Sequence, residues 1–195
     1  MKRSLDFLMA LALLLLLGIP LLLVGLVILL REGRPVLFAQ ERVGRNGRRF
    51  CILKFRTMAV AQAPSPEITA GETDHRITAT GRFLRRRRLD EFPQLFNVLV
   101  GHMSLVGPRP EVPNYVDLED PRWKVVLSVR PGITGPDSLA FRNEGVELAA
   151  ASDADHHYRE VILPEKLKVQ MQYAEERSVL GDVWLLFRTF GALRG

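Results

Sequence analysis

The chain opens on an apolar block and then changes character. From Phe7 to Leu30 no side chain is charged, a run of about 24 residues that would reach roughly 36 Å as a helix, enough to span a bilayer core. Lys2 and Arg3 precede the run, and Arg31 and Arg34 follow it. No small-x-small cleavage site follows, so a membrane helix is expected rather than a removed signal peptide. Pro20 interrupts the middle, with Gly18 and Gly25 on either side; a proline there removes one backbone hydrogen bond and kinks the helix. Basic flanks at both ends prefer the same aqueous side, a conflict for one straight span but not for a helix that enters, bends at Pro20 and returns. A simple bitopic anchor stays open on these cues, because spanning helices also contain proline.

Beyond Arg34 the pattern predicts an α+β unit that is mostly helical. Val36-Leu37-Phe38 and Phe50-Cys51-Ile52-Leu53 flank Asn46-Gly47, the signal of a small β-hairpin with a type I′ turn. The hairpin delivers Lys54-Phe55-Arg56-Thr57-Met58, in which alternation puts Lys54 and Arg56 on one face. Two cations there either grip phosphates or guard a sheet edge with charge. Residues 59–74 turn to Ala, Pro, Ser, Gly, Thr and Glu without apolar periodicity and read as a loop. A helix is expected from about Arg82 to Leu89, and another just after Asp90. Leu163 to Glu176 reads as an amphipathic helix with Leu163, Leu167, Met171 and Ala174 inward. Val179 to Phe190 forms a last, strongly apolar helix with Trp184 and Arg188, lying on a bilayer surface or packed in the core. The chain thus divides into a membrane segment, 1–34, and a membrane-associated unit, 35–195.

Charge narrows the partners. A net charge of +5 and a sequence pI near 9.8 suit an anionic one: phospholipid head groups, a nucleotide or nucleic acid. Cys51 is the single cysteine, so no internal disulfide forms. His75, His102, His156 and His157 lack the spacing of zinc ligands. GxGxxG and GxxxxGK[ST] are absent, which leaves ordinary dinucleotide binding and P-loop hydrolysis without support.

Candidate chemistry centres on Asp90 and Glu91, which follow Arg85-Arg86-Arg87-Arg88-Leu89. An adjacent carboxylate pair can hold a hard cation such as Mg²⁺ or supply a nucleophile, while guanidinium forks bind diphosphate oxygens. Asp90 stands where a helix N-cap would, with Pro93 in the first turn, so a helix dipole would favour its ionised form. Capping alone is the competing reading. The four arginines spread around a helix, so not all can face one ligand, and some are expected to meet lipid phosphates. Pro108 and Pro110 restrict the backbone around Arg109, which either aims its guanidinium at a substrate or makes a purely structural turn, and Arg130-Pro131-Gly132-Ile133-Thr134-Gly135-Pro136 makes a second rigid turn. The arginine run and basic pI motivate a different class, a membrane-anchored nucleic-acid binder; a non-catalytic scaffold is a third.

The ordered set Pro35-Val36-Leu37-Phe38, Gln40-Glu41-Arg42-Val43-Gly44, Lys54 to Met58, Leu89-Asp90-Glu91-Phe92-Pro93-Gln94, Met103 to Pro110 and Arg130 to Gly135 resembles the small monotopic phosphoglycosyl transferases. These are bacterial sugar transferases that begin glycoconjugate assembly. The resemblance implies transfer of a phosphosugar from a UDP-sugar to polyprenol phosphate, undecaprenyl phosphate above all, giving polyprenol-diphosphate-sugar and UMP on the cytoplasmic face of the inner membrane. It implies Asp90 as nucleophile, an aspartyl phosphosugar intermediate, and Mg²⁺ held by Asp90 and Glu91. It implies substrate contacts from Lys54, Arg56, Arg76, Arg85, Arg109 and Arg142, a re-entrant helix broken at Pro20, and no nucleic-acid partner. Two positions depart from the family pattern: Ile19 stands where a serine often precedes the proline, and His102 where an acidic residue is usual.

Overall fold

The computed structural model describes residues 2–60 and 74–192, so the loop expected over 59–74 lies almost wholly outside the described residues. The chain is mostly helical with two small sheets. Helix α1 (Lys2–Glu32) contains Pro20 and runs through it without interruption, so the expected break is not an end of helix. A proline deletes one i→i−4 bond and leaves the neighbouring bonds to hold the turn. This is the one described helix long and apolar enough to cross a membrane.

Helix α1 is not detached from the rest. Asp6, Ala10 and Ile28 are buried, and Leu13, Leu14, Leu21 and Val24 pack beside them on the globular part. These positions recur at helical spacing, so one stripe faces protein while Leu15, Leu16, Ile19, Leu22 and Leu23 remain exposed. Asp6 fixes one end: it accepts from Ser104 Oγ at 2.8 Å and from the Leu105 amide at 3.2 Å. Gly25 permits close approach near the other end, where an added Cβ would meet Val36 and Phe55.

The hairpin is as predicted. Strands β1 (Leu37–Val43) and β2 (Arg49–Phe55) pair antiparallel from Leu37↔Phe55 to Val43↔Arg49. Asn46 and Gly47 both have positive φ, 58° and 72°, as the type I′ turn demands. Helix α2 (Ala79–Arg86) is capped by Thr78, whose side chain accepts from the Gly81 amide. Helix α3 (Gln94–Val100) follows a 3-10 turn, Leu89–Glu91. Strands β3 (Ser104–Val106) and β4 (Gly132–Thr134) pair in parallel, bracketing α4 (Pro121–Val126), and α5 (Pro136–Ala140), α6 (Glu144–Ala150) and α7 (Ala154–His157) lead through a π-turn to α8 (Leu163–Glu176) and α9 (Val179–Ala192).

Helix α8 departs from the predicted pattern. On α8 the buried face comprises Leu163, Lys166, Leu167, Gln170 and Tyr173, which brings two polar residues inward. Lys166 is compensated by Glu111 at 2.9 Å and Glu144 at 3.1 Å. Helix α9 packs by one side: Leu185 and Leu186 join the core, while Leu180, Trp184, Phe187 and Phe190 stay exposed.

Candidate active site

The backbone turns sharply just before the acids. Arg88 is left-handed, φ 53°, and the 3-10 turn presents Asp90 and Glu91, both buried. Helix α3 begins three residues beyond Glu91, with Pro93 as its cap and no capping side chain. Asp90 is therefore not the N-cap that its position suggested, because the 3-10 turn inserts between the acid and the helix.

Glu91 is the hub of the site. Its Oε1 accepts from Lys54 Nζ at 2.9 Å and from the Arg109 guanidinium at 2.6 Å. Strand β2 supplies Lys54, and the turn after β3 supplies Arg109. Burial alone would push the Glu91 pKa up, but the charges of Arg109 and Lys54 overcome it and hold the carboxyl well below the usual range. Asp90 goes the other way: burial first, then the neighbouring Glu91 charge, raise its pKa, opposed by Lys54, Arg85 and Arg109. The expected helix-dipole stabilisation of its ionised form is replaced by these effects.

Both cations bind one oxygen of Glu91. Among the described residues no group donates a hydrogen bond to Glu91 Oε2 or to either oxygen of Asp90. Two adjacent hard carboxylates with donor-free oxygens fit a Mg²⁺ ion that takes its remaining ligands from water and substrate phosphates, which is the ion's usual habit. No cluster of three or more His, Cys, Asp or Glu side chains suited to a metal occurs among the described residues, so a metal here would depend on substrate for part of its shell.

Arg109 is held from behind. Its amide donates to Asp137 Oδ2 at 2.9 Å, and Gln170 reaches the same oxygen at 2.6 Å and the Arg109 carbonyl at 3.3 Å. The two rigid turns interlock beneath it: Gly132 N donates to Pro108 O at 2.9 Å and Gly107 N to Thr134 O at 2.9 Å. A Cβ on Gly132 would stand 2.1 Å from Gly107 N, so the contact requires glycine. Asp137 and Gln170 carried no signal in the sequence, since each reads as an ordinary helix residue.

The remaining candidates divide. Arg85 donates to Thr57 Oγ1 at 2.9 Å and its charge reaches Asp90. Arg76 is committed to Asp74 through contacts of 2.9, 3.1 and 2.5 Å, and its charge acts on Arg85. Arg56 departs from expectation: it binds the carbonyls of Glu32, Gly33 and Arg34 at 2.7, 2.9 and 2.9 Å. It thus caps the C-terminal end of α1 instead of facing phosphate with Lys54, because the strand ends at Phe55 and its alternation with it. Arg142 lines a cavity of about 190 Å³ together with Arg87, Arg88 and Glu91. The rest of that cavity is largely apolar, including Leu13 of α1, Leu139 of α5, and Leu186 and Phe190 of α9. Arg87 and Arg88 thereby join the site region, a placement set by the left-handed Arg88.

The arrangement is one buried acid with free oxygens, a second acid clamped by two cations, and an amphiphilic cavity at their side. The model of the bacterial sugar transferase family matches residues 1–194. The chain belongs to the bacterial sugar transferase family. It is 36% identical over 191 residues to an Aeromonas hydrophila UDP-N-acetylgalactosamine-undecaprenyl-phosphate N-acetylgalactosaminephosphotransferase, covering 96% of this chain and 42% of that protein. It is 34% identical over 195 residues to a UDP-glucose:undecaprenyl-phosphate glucose-1-phosphate transferase of Caulobacter vibrioides, covering 98% and 69%. It is 35% identical over 208 aligned residues to the exopolysaccharide production protein ExoY of Sinorhizobium fredii, covering 98% and 84%. The chain spans less than half the length of several of its relatives.

Proposed function

We propose that this sugar transferase moves a phosphosugar from a UDP-sugar to a polyprenol phosphate, as the names of its Aeromonas and Caulobacter relatives describe for those proteins. The observation that carries the reading is the Asp90–Glu91 pair, with one carboxylate free and the other gripped by Lys54 and Arg109.

Asp90 is the nucleophile: one Oδ attacks the β-phosphorus of the donor, the bond from that phosphorus to the bridging oxygen breaks, and UMP departs with the electron pair. An oxygen of the lipid phosphate then attacks the same phosphorus and the Asp90 carboxylate leaves, giving polyprenol-diphosphate-sugar. Glu91 and Asp90 would hold Mg²⁺, which when bound spreads the charge of the donor diphosphate. Lys54, Arg85 and Arg109 surround the acids with fixed positive charge and so stabilise charge as it develops on the transferring and leaving groups. The raised pKa of Asp90 marks a carboxylate with little solvation to lose before attack.

The cavity beside Glu91 suits the acceptor. Arg87, Arg88 and Arg142 offer forks to a lipid phosphate, and the apolar wall continues towards α1 and α9 along the path of an isoprenoid. Both ends of α1 dock on the same globular part, through Asp6 at one end and through Arg56 on the Glu32 carbonyl at the other. This supports a re-entrant segment with both basic flanks on the cytoplasmic side, and α9 lying on the bilayer by its exposed aromatic face. The four-arginine run is dispersed, with Arg85 on Thr57 and Arg87 over the Phe83 ring, which disfavours a nucleic-acid strip.

The test is UMP release from a panel of UDP-sugars by the purified protein with Mg²⁺, with and without polyprenol phosphate. One UMP per chain without acceptor and many with it is expected, together with a covalent mass increase equal to the phosphosugar. Asp90→Asn should show neither, and equal turnover by that variant would sink the assignment.

A further inference from the structure

A second cavity, of about 280 Å³, lies at the opposite end of α3 from the acids, against the first turn of α1. Its walls come from five separate parts of the chain: Lys2, Arg3 and Asp6 of α1, Arg45 of the hairpin tip, Ser104 of β3, Arg130, and Arg177 with Asp182 at the junction of α8 and α9. Five cations thus converge with two carboxylates.

The carboxylates are already used. Asp6 accepts from Ser104 and the Leu105 amide, and Asp182 accepts from Tyr173 at 2.6 Å and pairs with Lys2. Three of the four arginines turn to neutral partners instead. Arg3 donates to the carbonyls of Val98 and Leu99 at 2.5 and 2.8 Å, Arg45 to Ser128 at 3.1 Å, and Arg130 to Gly101 at 2.9 Å. These bonds fix the guanidiniums in place without neutralising them. Burial and then the charges of Arg3 and Arg45 depress the Arg130 pKa, so the cations are close enough to disfavour one another. A concave set of oriented, mutually repelling guanidiniums is stabilised by an anion with several oxygens.

The surroundings select the source of that anion. The cavity opens where two apolar surfaces begin: the exposed leucines of α1, and on α9 Leu180, Trp184 and Phe187, which are 82%, 57% and 73% exposed. An arginine cluster at the polar margin of such a surface stands at head-group depth. We propose that this cavity binds a phosphate group, supplied by the head group of an anionic membrane phospholipid, and that the site is separate from the catalytic acids.

The experiment uses the full chain purified from vesicles containing equal phosphatidylglycerol and phosphatidylcholine, with native mass spectrometry to count retained lipid. Wild type should keep about one phosphatidylglycerol in preference to phosphatidylcholine. Arg45→Gln with Arg177→Gln should cut that preference roughly fivefold for each charge removed, while Arg45→Lys with Arg177→Lys should keep most of it. Thermal unfolding of both variants checks that they are folded. Equal retention by wild type and the Gln variant would overturn the site. If millimolar inorganic phosphate stabilised the wild type but no lipid preference appeared, the lipid source would be wrong. Neither outcome depends on sugar transfer, since the readouts are bound lipid and stability.

Discussion

Gln170 of α8 donates to Asp137 Oδ2 at 2.6 Å, and that same oxygen receives the amide of Arg109 at 2.9 Å. Helix α8 thereby reaches Arg109 through one carboxylate oxygen. The three groups form a buried chain whose outer link, the Arg109 side chain, is the one facing Glu91.

Gln170→Met is expected to keep the volume and lose the link. Leaving Asp137 short of a donor in a buried position should cost about 1–3 kcal/mol, read as a fall in melting temperature. Arg109 would also lose its restraint, and kcat/KM for the UDP-sugar should drop about tenfold. A stability loss with unchanged kcat/KM would show that Arg109 is placed by its prolines alone.

Asp90 should display opposite effects on stability and on chemistry. Its folded pKa is raised above the ordinary 3.8 by burial and Glu91, so its ionised form disfavours the folded state at neutral pH. Asp90→Asn should therefore raise the melting temperature at pH 7 and leave it nearly unchanged at acid pH, where the native side chain is protonated too. The same substitution should abolish single-turnover UMP release. A fall in melting temperature at pH 7 would mean that the carboxylate has a stabilising partner when ionised.

The pH profile of UMP release follows from the same shift. On the proposed mechanism release requires the Asp90 carboxylate, so the rate should decline as pH falls, with a midpoint above 3.8. Lys54 lowers the Asp90 pKa by its charge, so Lys54→Gln should move the midpoint to higher pH. Glu91 has the reverse sign: its depressed pKa contributes stability that is present above its unfolded value of 4.5 and is lost as pH falls through the folded one. An acid limb that stayed in place in the Lys54 variant would exclude Asp90 as the group that titrates.

Much of this architecture was legible because local signals were strong. Asn46-Gly47 specified the hairpin, and the uncharged run from Phe7 to Leu30 specified α1, since period and turn chemistry act within a few residues. The acids were visible as a pair, and Lys54 and Arg109 as their company. What escaped depended on distant contacts. Arg56 lies two residues from Lys54, yet its carbonyl partners belong to Glu32, Gly33 and Arg34, which no alternation rule can reveal. The left-handed Arg88 displaced Asp90 from its expected cap, because an arginine seldom advertises a positive φ. Lys166 and Gln170 fall outside the inward set that periodicity picks on α8, and their burial depends on Glu111 and Asp137, which supply their partners.

Gly81 provides a test of how α2 is seated. An added Cβ would lie 2.0 Å from the Thr57 carbonyl oxygen, a backbone atom that cannot swing away. Gly81→Ala would ordinarily favour a helix by about 1 kcal/mol, but here it should destabilise by several times that amount and separate Arg85 from Thr57. Circular dichroism melts should show the loss, and a more stable Ala variant would refute the close packing.

The cavity beside Glu91 permits the two half-reactions to be separated. Leu139 lines its apolar wall away from Asp90 and Lys54, and a tryptophan there would fill the space proposed for the acceptor chain. Leu139→Trp should leave the UMP burst measured without acceptor within about twofold of wild type, because Asp90 and its neighbouring cations are untouched. The KM for polyprenol phosphate should rise at least tenfold, since losing two buried methylenes of contact, at about 0.8 kcal/mol each, already gives a factor near that. A normal burst with an impaired second step would place the lipid in this cavity. A normal burst with a normal acceptor KM would send the isoprenoid along another surface, most directly the exposed face of α9, while leaving the role of Asp90 intact.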